Sequence, residues 1–283
     1  KVSSICARVS LRVNPDVDAG THAKISTGRK ENKFGVPIDQ APAMFARLAG
    51  RSGLDLKGVA IHIGSQLADL APLEAAYARV GELVAELRRA GHRITRVDLG
   101  GGLGVPYRHD DILPPPADLG AMVARVTKGW DVQLQFEPGR VIAGNAGVLL
   151  TRVVWVKPGV GHPYVIVDAA MNDLIRPAMY DAHHDIVPVR EPAVGAEVAP
   201  VDVVGPVCET GDTFARGVQL PPLGDGELVA FRSAGAYGAV MASEYNSRPL
   251  VPEVLVAGDR FAVIRPRPSI DEMLGRDRIP DWL

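Results

Sequence analysis

The chain has 283 residues, of which 47% are hydrophobic and 23% are charged, and this composition is that of a folded protein with a sizeable core. Its 31 basic and 33 acidic residues leave a formal net charge of −2, which argues against a nucleic-acid partner. No apolar run is long enough to cross a membrane, and the two cysteines, Cys6 and Cys208, fit no disulfide or metal spacing. We therefore expect a cytoplasmic protein without membrane or metal partners.

The first half of the chain alternates predicted strands and helices. Alternating or continuous apolar residues predict strands at 6–13, 58–61, 94–99 and 132–136. Helical spacing of apolar residues predicts helices at 39–49, 72–90 and 117–128. The buried face of the 72–90 helix should carry Leu73, Tyr77, Val80, Val84 and Leu87. This alternation predicts parallel strands, and we count four of them.

The second half of the chain is rich in short β-type runs punctuated by Pro and Gly, and no long helix intervenes. These runs lie at 148–156, 164–167, 201–204, 227–231 and 252–264. They predict a separate antiparallel β-domain. We therefore expect two domains, at residues 1–145 and 146–283.

Three polar motifs follow the strands of the first half at nearly constant spacing. They begin at residues 62, 100 and 137 and read His62-Ile63-Gly64-Ser65, Gly100-Gly101-Gly102-Leu103-Gly104 and Glu137-Pro138-Gly139-Arg140. Polar groups at the carboxyl ends of successive parallel strands build the active site of a (β/α) barrel. We expect these motifs to meet in one pocket.

Each motif also has a structural interpretation that the sequence leaves open. The glycines allow backbone N–H groups to approach an anion, but they also occur in plain tight turns. Glu137 at a buried strand end can keep a ring nitrogen protonated and Arg140 can grip a carboxylate, or the two can form a structural ion pair. His62 on its own is more typical of a core histidine.

Polar segments of the second half are weaker signals taken singly. Residues 168–180 place Arg176 and Tyr180 after a strand, and 208–212 place Cys208 and Glu209 after another. Each segment, like the one around Tyr237, also fits a turn or an interface loop, and Cys208 fits a buried thiol. The adjacent histidines at 183–184 point in different directions and predict a surface loop rather than a metal site.

Taken in order, these segments resemble the fold-type III pyridoxal-phosphate-dependent decarboxylases, and within them the diaminopimelate decarboxylases. The resemblance runs through essentially the whole chain. It is carried by the motifs above together with Arg12-Val13-Asn14-Pro15, Lys33-Phe34-Gly35, Cys208-Glu209 and Tyr245-Asn246-Ser247-Arg248-Pro249. It implies an alanine racemase-like (β/α)8 barrel that binds pyridoxal 5'-phosphate, followed by a β-domain that completes the active site and the interface of a homodimer.

The resemblance also implies a role for each candidate residue. Glu137 would hydrogen-bond the pyridine nitrogen, His62 would stack on the ring, and a further cofactor-binding group would contribute Ser65, the glycine turn and Tyr237 to the phosphate. That group comprises Ser65, Gly100, Gly101, Gly102, Gly104, Gly139, Arg140 and Tyr237. The residues implied for the substrate are Arg140, Arg176 and Tyr180 at its distal carboxylate, with Tyr237 nearby, and Glu209 at its distal amino group. Cys208 would donate a proton in the site of the partner subunit.

The chain departs from the family pattern in one respect. The family's Schiff-base lysine lies in a motif like Tyr-Ala-x-Lys-Ala-Asn, and Lys24, Lys30, Lys33 and Lys57 stand in other contexts. With four strands counted where a barrel has eight, we expect the carboxyl-terminal part of the enzyme, inactive by itself.

The implied reaction is decarboxylation of meso-diaminopimelate to L-lysine, a lyase step of lysine biosynthesis. The alternatives are a relative acting on ornithine, arginine or carboxynorspermidine, and a non-catalytic homologue that binds or regulates. Glu209 favours diaminopimelate, because the similar ornithine decarboxylases carry Asp after this Cys.

Overall fold

The computed structural model describes residues 6–18 and 33–283, so Lys24 and Lys30 of the sequence analysis lie outside the described residues. Backbone packing divides the chain into two compact units. The first comprises residues 1–106 and 110–142, and the second comprises residues 107–109 and 143–283. Each unit contains its own hydrophobic core.

A parallel five-stranded sheet forms the centre of the first unit. Its strands are β1 (Ala7–Asn14), β2 (Val36–Pro37), β3 (Leu54–Ala60), β4 (Arg96–Asp98) and β5 (Gln133–Gln135). They lie in the order β2-β1-β3-β4-β5, and every pairing is parallel. The predicted parallel arrangement is confirmed, but the count of four strands is wrong. The missed strand, β2, has two residues, too few to show any periodicity.

The helices of this unit follow the predicted pattern. They are α1 (Ala41–Leu48), α2 (Ala71–Arg89), α3 (Pro116–Val126) and the short α4 (Gly139–Ala143), which was not predicted. The first three carry Pro in the first turn, where the ring fits and no backbone hydrogen bond is lost. All five apolar positions predicted to face the core from α2 are buried, and burial of each large side chain contributes about 1.5–3 kcal/mol.

The second unit is built around a six-stranded sheet. Its strands are β6 (Leu149–Lys157), β7 (Tyr164–Val167), β8 (Ile186–Pro188), β9 (Ala199–Val204), β10 (Thr213–Leu220) and β11 (Leu228–Phe231). They lie in the order β10-β9-β7-β6-β11-β8. The predicted antiparallel β-domain is confirmed, and it contains one parallel pairing, between β7 and β9.

A hairpin and two short helices complete this unit. The predicted run at 252–264 is divided at Gly258, which adopts φ +65°, into β12 (Glu253–Ala257) and β13 (Arg260–Arg265). The helices are α5 (Arg176–Tyr180) and α6 (Ile270–Leu274). Within the described ranges, no helix combines the length and apolarity needed to cross a bilayer. The same ranges contain no cluster of three or more His, Cys, Asp or Glu that could hold a metal ion.

Candidate active site

The three polar motifs of the first unit lie side by side at the carboxyl edge of the parallel sheet. Beyond the strands, the backbone ladder continues from Ile61 N–H to Asp98 O at 2.9 Å and from Leu99 N–H to Gln135 O at 2.9 Å. It reaches the third motif through Glu137 N–H, which donates to Gly100 O at 2.8 Å. The loops that follow β3, β4 and β5 are therefore held together by the same hydrogen bonding as the strands.

Close backbone contacts explain the glycines at 100–104. A Cβ atom at Gly100 would collide with Ile61 O, at Gly101 with Glu137 O, and at Gly102 with Gly64 O. Gly100 and Gly102 also have φ values of +70° and +111°, which side-chain-bearing residues rarely adopt. The glycines thus allow the three loops to pack against one another.

Several of the amides expected to bind an anion have partners within the chain. Gly100 N–H donates to Asp98 Oδ1 at 2.9 Å, and Gly104 N–H donates to Leu67 O at 3.0 Å. Gly101 N–H donates to His62 Nδ1 at 3.3 Å. The observed role of these amides is to order the loops, and phosphate binding by the glycines stays a prediction.

His62 is half-buried between these loops, and its protonation state follows from its contacts. Nδ1 accepts the Gly101 N–H, so the proton of the neutral ring lies on Nε2. Burial lowers the pKa of His62, and the nearby Arg12 acts in the same direction, while Asp98 partly opposes them. Burial thus favours the neutral form of this imidazole, and the Gly101 N–H orients it.

Ser65 and Arg140 meet although they are distant in sequence. Arg140 lies in the first turn of α4 and is 7% exposed. Its Nε and Nη2 donate to Ser65 Oγ at 3.1 and 3.0 Å. The serine oxygen accepts both bonds, so its own hydrogen remains able to point elsewhere. A guanidinium and a hydroxyl held in this way form a donor group suited to an oxygen-rich anion.

Glu137 differs from the expectation in its burial. The sequence predicted a carboxylate at a buried strand end, but in the structure Glu137 is exposed and lies two residues beyond the end of β5. The reason is that β5 is the last strand of the described sheet, with no neighbour on its outer side. Its carboxylate lies at the same sheet edge as His62.

Sequence reasoning missed Gln66, which links two of the motif loops. Its amide donates from Nε2 to Val105 O at 2.6 Å, and its Oε1 accepts from Val105 N–H at 3.2 Å. Leu67 forms a parallel bridge with Leu103 beside it. Gln66 has φ +62°, so the backbone adopts a costly conformation to make these bonds. The sequence signal that could have identified Gln66 is its position directly after the motif His62-Ile63-Gly64-Ser65.

In the second unit, the prediction of a surface loop at the adjacent histidines is wrong. His184 is 3% exposed, and its Nε2 lies 2.8 Å from Nη1 of Arg176. His183 is half-buried and its Nε2 lies 2.8 Å from Asp185 Oδ1. Residues after α5 fold back because Asp181 adopts the left-handed conformation, and this returns His184 to the start of the helix. Tyr180 is half-buried at the helix end.

The loop before β10 carries Cys208 and Glu209 on its surface. Cys208 is exposed, so the alternative of a buried thiol is wrong. Glu209 Oε2 accepts the hydroxyl of Tyr245 at 2.7 Å, and this hydrogen bond raises the pKa of Tyr245. Tyr245, which belongs to the motif at residues 245–249, therefore positions Glu209.

Asp212 closes this loop, and the sequence analysis assigned it no role. It is 3% exposed, and its carboxylate accepts from Met171 N–H at 2.6 Å and from Val207 N–H at 2.7 Å. Burial raises the pKa of Asp212, and the two amides partly offset that effect. Loop 205–212 is thereby tied to the segment that leads into α5.

Tyr237 lies on a different loop of this unit, after β11. Its φ is +57°, a strained conformation for an aromatic residue, and the side chain is 43% exposed. Nearby, Gly235 approaches the backbone so closely that a Cβ atom would collide with Ala143 O. Strain of this kind is typical of residues that contact ligands.

Comparison with known proteins gives consistent matches. Residues 1–144 match the family described as pyridoxal-dependent decarboxylase, pyridoxal binding domain. Diaminopimelate decarboxylase from Zymomonas mobilis is 50% identical over 278 residues, 98% of this chain and 65% of that protein. The enzyme of the same name from Pseudomonas aeruginosa is 51% identical over 269 residues, 94% of this chain and 63% of that protein.

Among solved structures, diaminopimelate decarboxylase from Helicobacter pylori complexed with L-lysine matches with a TM-score of 0.90 and 40% identity. The match covers 96% of this chain and 67% of that one. These matches confirm the predicted fold class, a partial barrel followed by a β-domain. The chain spans about 65% of the length of the curated relatives it matches.

Proposed function

The chain belongs to the pyridoxal-dependent decarboxylases, and we propose that its complete gene product converts meso-diaminopimelate to L-lysine and carbon dioxide. The observation that carries the proposal is the 50% identity to a diaminopimelate decarboxylase along 98% of the chain. The candidate residues at the sheet edge and in the loops of the second unit support it.

The donor set of the first unit fits pyridoxal 5'-phosphate. A neutral His62 ring offers a flat face, Ser65 and Arg140 offer hydrogen-bond donors to an anion, and Glu137 offers an acceptor at the same edge. When bound, this cofactor withdraws electrons from the carbon that loses carbon dioxide. Glu137 would keep a proton on the pyridine nitrogen, and the phosphate would lie near Ser65, Gly139 and the glycine turn, with Tyr237 as a further ligand.

The remaining candidates would recognise the substrate. Arg140, Arg176 and Tyr180 would bind its distal carboxylate, and Glu209 would bind its distal ammonium group. Cys208 would deliver the proton that replaces the lost carboxylate. The exposure of Cys208 and the hydrogen bond that orients Glu209 support these roles, because a residue that reaches a substrate must be accessible and held in place.

We further propose a cytoplasmic homodimer with shared sites. Residues 1–145 would serve as the cofactor-binding barrel part and residues 146–283 as the β-domain. Cys208 and Glu209 would complete the site of the partner subunit.

A substrate panel tests the function directly. The complete gene product, loaded with pyridoxal 5'-phosphate, is assayed for carbon dioxide release from meso-diaminopimelate, L-ornithine, L-arginine and carboxynorspermidine. We expect kcat/KM for meso-diaminopimelate to exceed the others by at least about a hundredfold, because a site built for a second carboxylate rejects analogues without it. Preference for another substrate contradicts the assignment, and cofactor binding without any turnover indicates a binding or regulatory protein.

A further inference from the structure

We propose that His184 and Tyr107 are positioning residues that hold the Arg176 guanidinium in one orientation and so set the preference for a substrate with a second carboxylate. The inference rests on the proposed function, in which Arg176 binds that carboxylate. In this proposal His184 and Tyr107 do not contact the substrate but act through Arg176.

The hydrogen bonds of His184 determine its protonation state. A guanidinium has donors and no acceptor, so the contact of 2.8 Å between Arg176 Nη1 and His184 Nε2 requires an unprotonated Nε2. The other nitrogen, Nδ1, lies 2.9 Å from Arg232 O, a carbonyl that can only accept. The two contacts are satisfied together by one form of the ring, the neutral tautomer with its proton on Nδ1.

A neutral acceptor orients Arg176 without neutralising it. Arg176 and His184 are 8% and 3% exposed, so the interaction between them is little screened by water. A carboxylate at position 184 would pair with the guanidinium and reduce its attraction for another anion. An imidazole fixes the direction of one N–H and itself brings no negative charge that would compete with a substrate carboxylate.

Tyr107 fixes the plane of the guanidinium. The central carbon of Arg176 lies 4.5 Å from the centroid of the Tyr107 ring, within the range of a cation–π contact. The same ring meets His184 edge-on, with centroids 5.2 Å apart and an interplanar angle of 86°. One aromatic ring therefore packs against both members of the hydrogen-bonded pair, and Tyr107 is itself 7% exposed.

The charged groups around the pair explain why the other histidine does not take this role. His183 Nε2 lies 2.8 Å from Asp185 Oδ1, so the Asp185 carboxylate is paired with the neighbour of His184. The left-handed residue Asp181 sets the turn that separates the two histidines.

The test compares two ligands that differ only in the carboxylate. L-Lysine keeps the carboxylate of meso-diaminopimelate that is distal to the reacting carbon, and cadaverine is the same diamine without it. Dissociation constants for both are measured by calorimetry on the complete, cofactor-loaded protein and on four variants, Arg176→Gln, His184→Leu, His184→Gln and the double variant Arg176→Gln/His184→Leu. Steady-state kinetics with meso-diaminopimelate accompany them.

We expect His184→Leu to weaken L-lysine binding by about tenfold or more and to raise KM more than it lowers kcat, since a binding interaction is lost. Cadaverine binding should change by less than about threefold. His184→Gln, whose side-chain oxygen can accept from Arg176, should recover part of the loss. In the Arg176→Gln background, His184→Leu should add nothing further, because the two residues act as one unit.

The outcomes separate this inference from the function on which it rests. If Arg176→Gln leaves L-lysine binding unchanged, the assignment of Arg176 to the carboxylate fails. If Arg176→Gln weakens L-lysine binding but neither His184 variant does, the positioning role is overturned. Equal losses for L-lysine and cadaverine, or additive losses in the double variant, also overturn it. His184→Gln keeps the test decisive if His184→Leu does not fold.

Discussion

Glu137 carries the clearest prediction at the level of a single residue. Glu137→Gln keeps the shape of the side chain but removes the negative charge that would stabilise a protonated pyridine nitrogen. We expect decarboxylation to slow by about a hundredfold or more, the size of effect seen when one electrostatic stabiliser is removed. Turnover is measured in the complete gene product, with cofactor content determined by absorbance after denaturation.

The matched control for this variant is Glu82→Gln, the same change on the exposed side of α2. It should leave turnover unchanged. Turnover equal to that of the parent protein would show that Glu137 has a structural role only, and loss of bound cofactor would show that it acts in cofactor binding rather than in turnover.

His62 makes the second residue-level prediction, which concerns pH. Because burial lowers the pKa of His62 below its usual 6.5, the unfolded chain takes up this proton at a higher pH than the folded chain. The free energy of unfolding should therefore fall as the pH falls through 6.5 towards the lower pKa of the folded state. In a histidine-labelled NMR titration, the His62 ring should titrate below pH 6.5.

His62→Gln should remove this contribution and flatten the pH dependence of urea unfolding in the same interval. The direction of the shift in the pKa of His62 tests this prediction. A His62 ring that titrates above 6.5 would mean that the nearby Asp98 carboxylate raises the pKa of His62 by more than burial and Arg12 lower it, and would contradict this prediction.

At the level of elements, helix propensity and packing make opposite predictions for Gly81. This residue lies inside α2, where Ala would ordinarily stabilise the helix by up to about 1 kcal/mol. A Cβ atom there would lie 2.7 and 2.9 Å from two ring carbons of Trp130. We expect Gly81→Ala to destabilise the protein, because displacing a packed indole costs about 1–3 kcal/mol.

Gly120 in α3 provides the control, since a Cβ atom there has no neighbour within 4 Å. Gly120→Ala should raise the midpoint of urea unfolding while Gly81→Ala lowers it. An increase in both variants would show that Trp130 moves without cost.

The link made by Gln66 yields a second prediction for elements. Gln66→Ala leaves the buried N–H and C=O of Val105 without their partner, at a cost of about 1–3 kcal/mol for each buried group left unsatisfied. Gln66→Gly loses the same bonds but tolerates the positive φ, so it should be less destabilising than Gln66→Ala. Equal stability of all three proteins in urea unfolding would show that the link contributes nothing.

Most long elements were predictable from the sequence, as were the three-residue β4 and β5, whereas β2, β8 and the longer β10 were missed. Five apolar side chains at helical spacing lie along the 19 residues of α2, and each of them indicates the same buried face. In contrast, β2 and β8 have two and three residues, and their pairing depends on neighbours remote in sequence. β10 has eight residues, but its register shifts twice against β9, which interrupts the alternation that would have revealed it.

Some parts of the candidate site could also be predicted from the sequence, and others could not. Strand-end motifs could be located because each follows a recognisable apolar run. The contacts of Arg140 with Ser65, and of His184 with Arg176, could not be predicted, because they depend on backbone turns such as the left-handed Asp181. Adjacent histidines in a sequence do not reveal which ring is buried.

At the level of the whole molecule, the proposed sharing of sites between subunits has a quantitative consequence. Two inactive forms of the complete gene product are made, Glu137→Ala and Cys208→Ala, and each homodimer should be nearly inactive. After mixing and subunit exchange, random pairing makes about half of the dimers mixed, and each mixed dimer has one site with both residues intact. About a quarter of the parental activity per site should therefore return.

The control for this experiment is a chain that carries both substitutions. Mixed with Cys208→Ala, the double variant can form no intact site in any combination, so activity should stay at the level of the homodimers. If Glu137→Ala and Cys208→Ala exchange subunits and still restore nothing, Cys208 acts within its own chain. Recovery near a quarter requires the exposed loop at 205–212, fastened by Asp212, to act on the site of the partner.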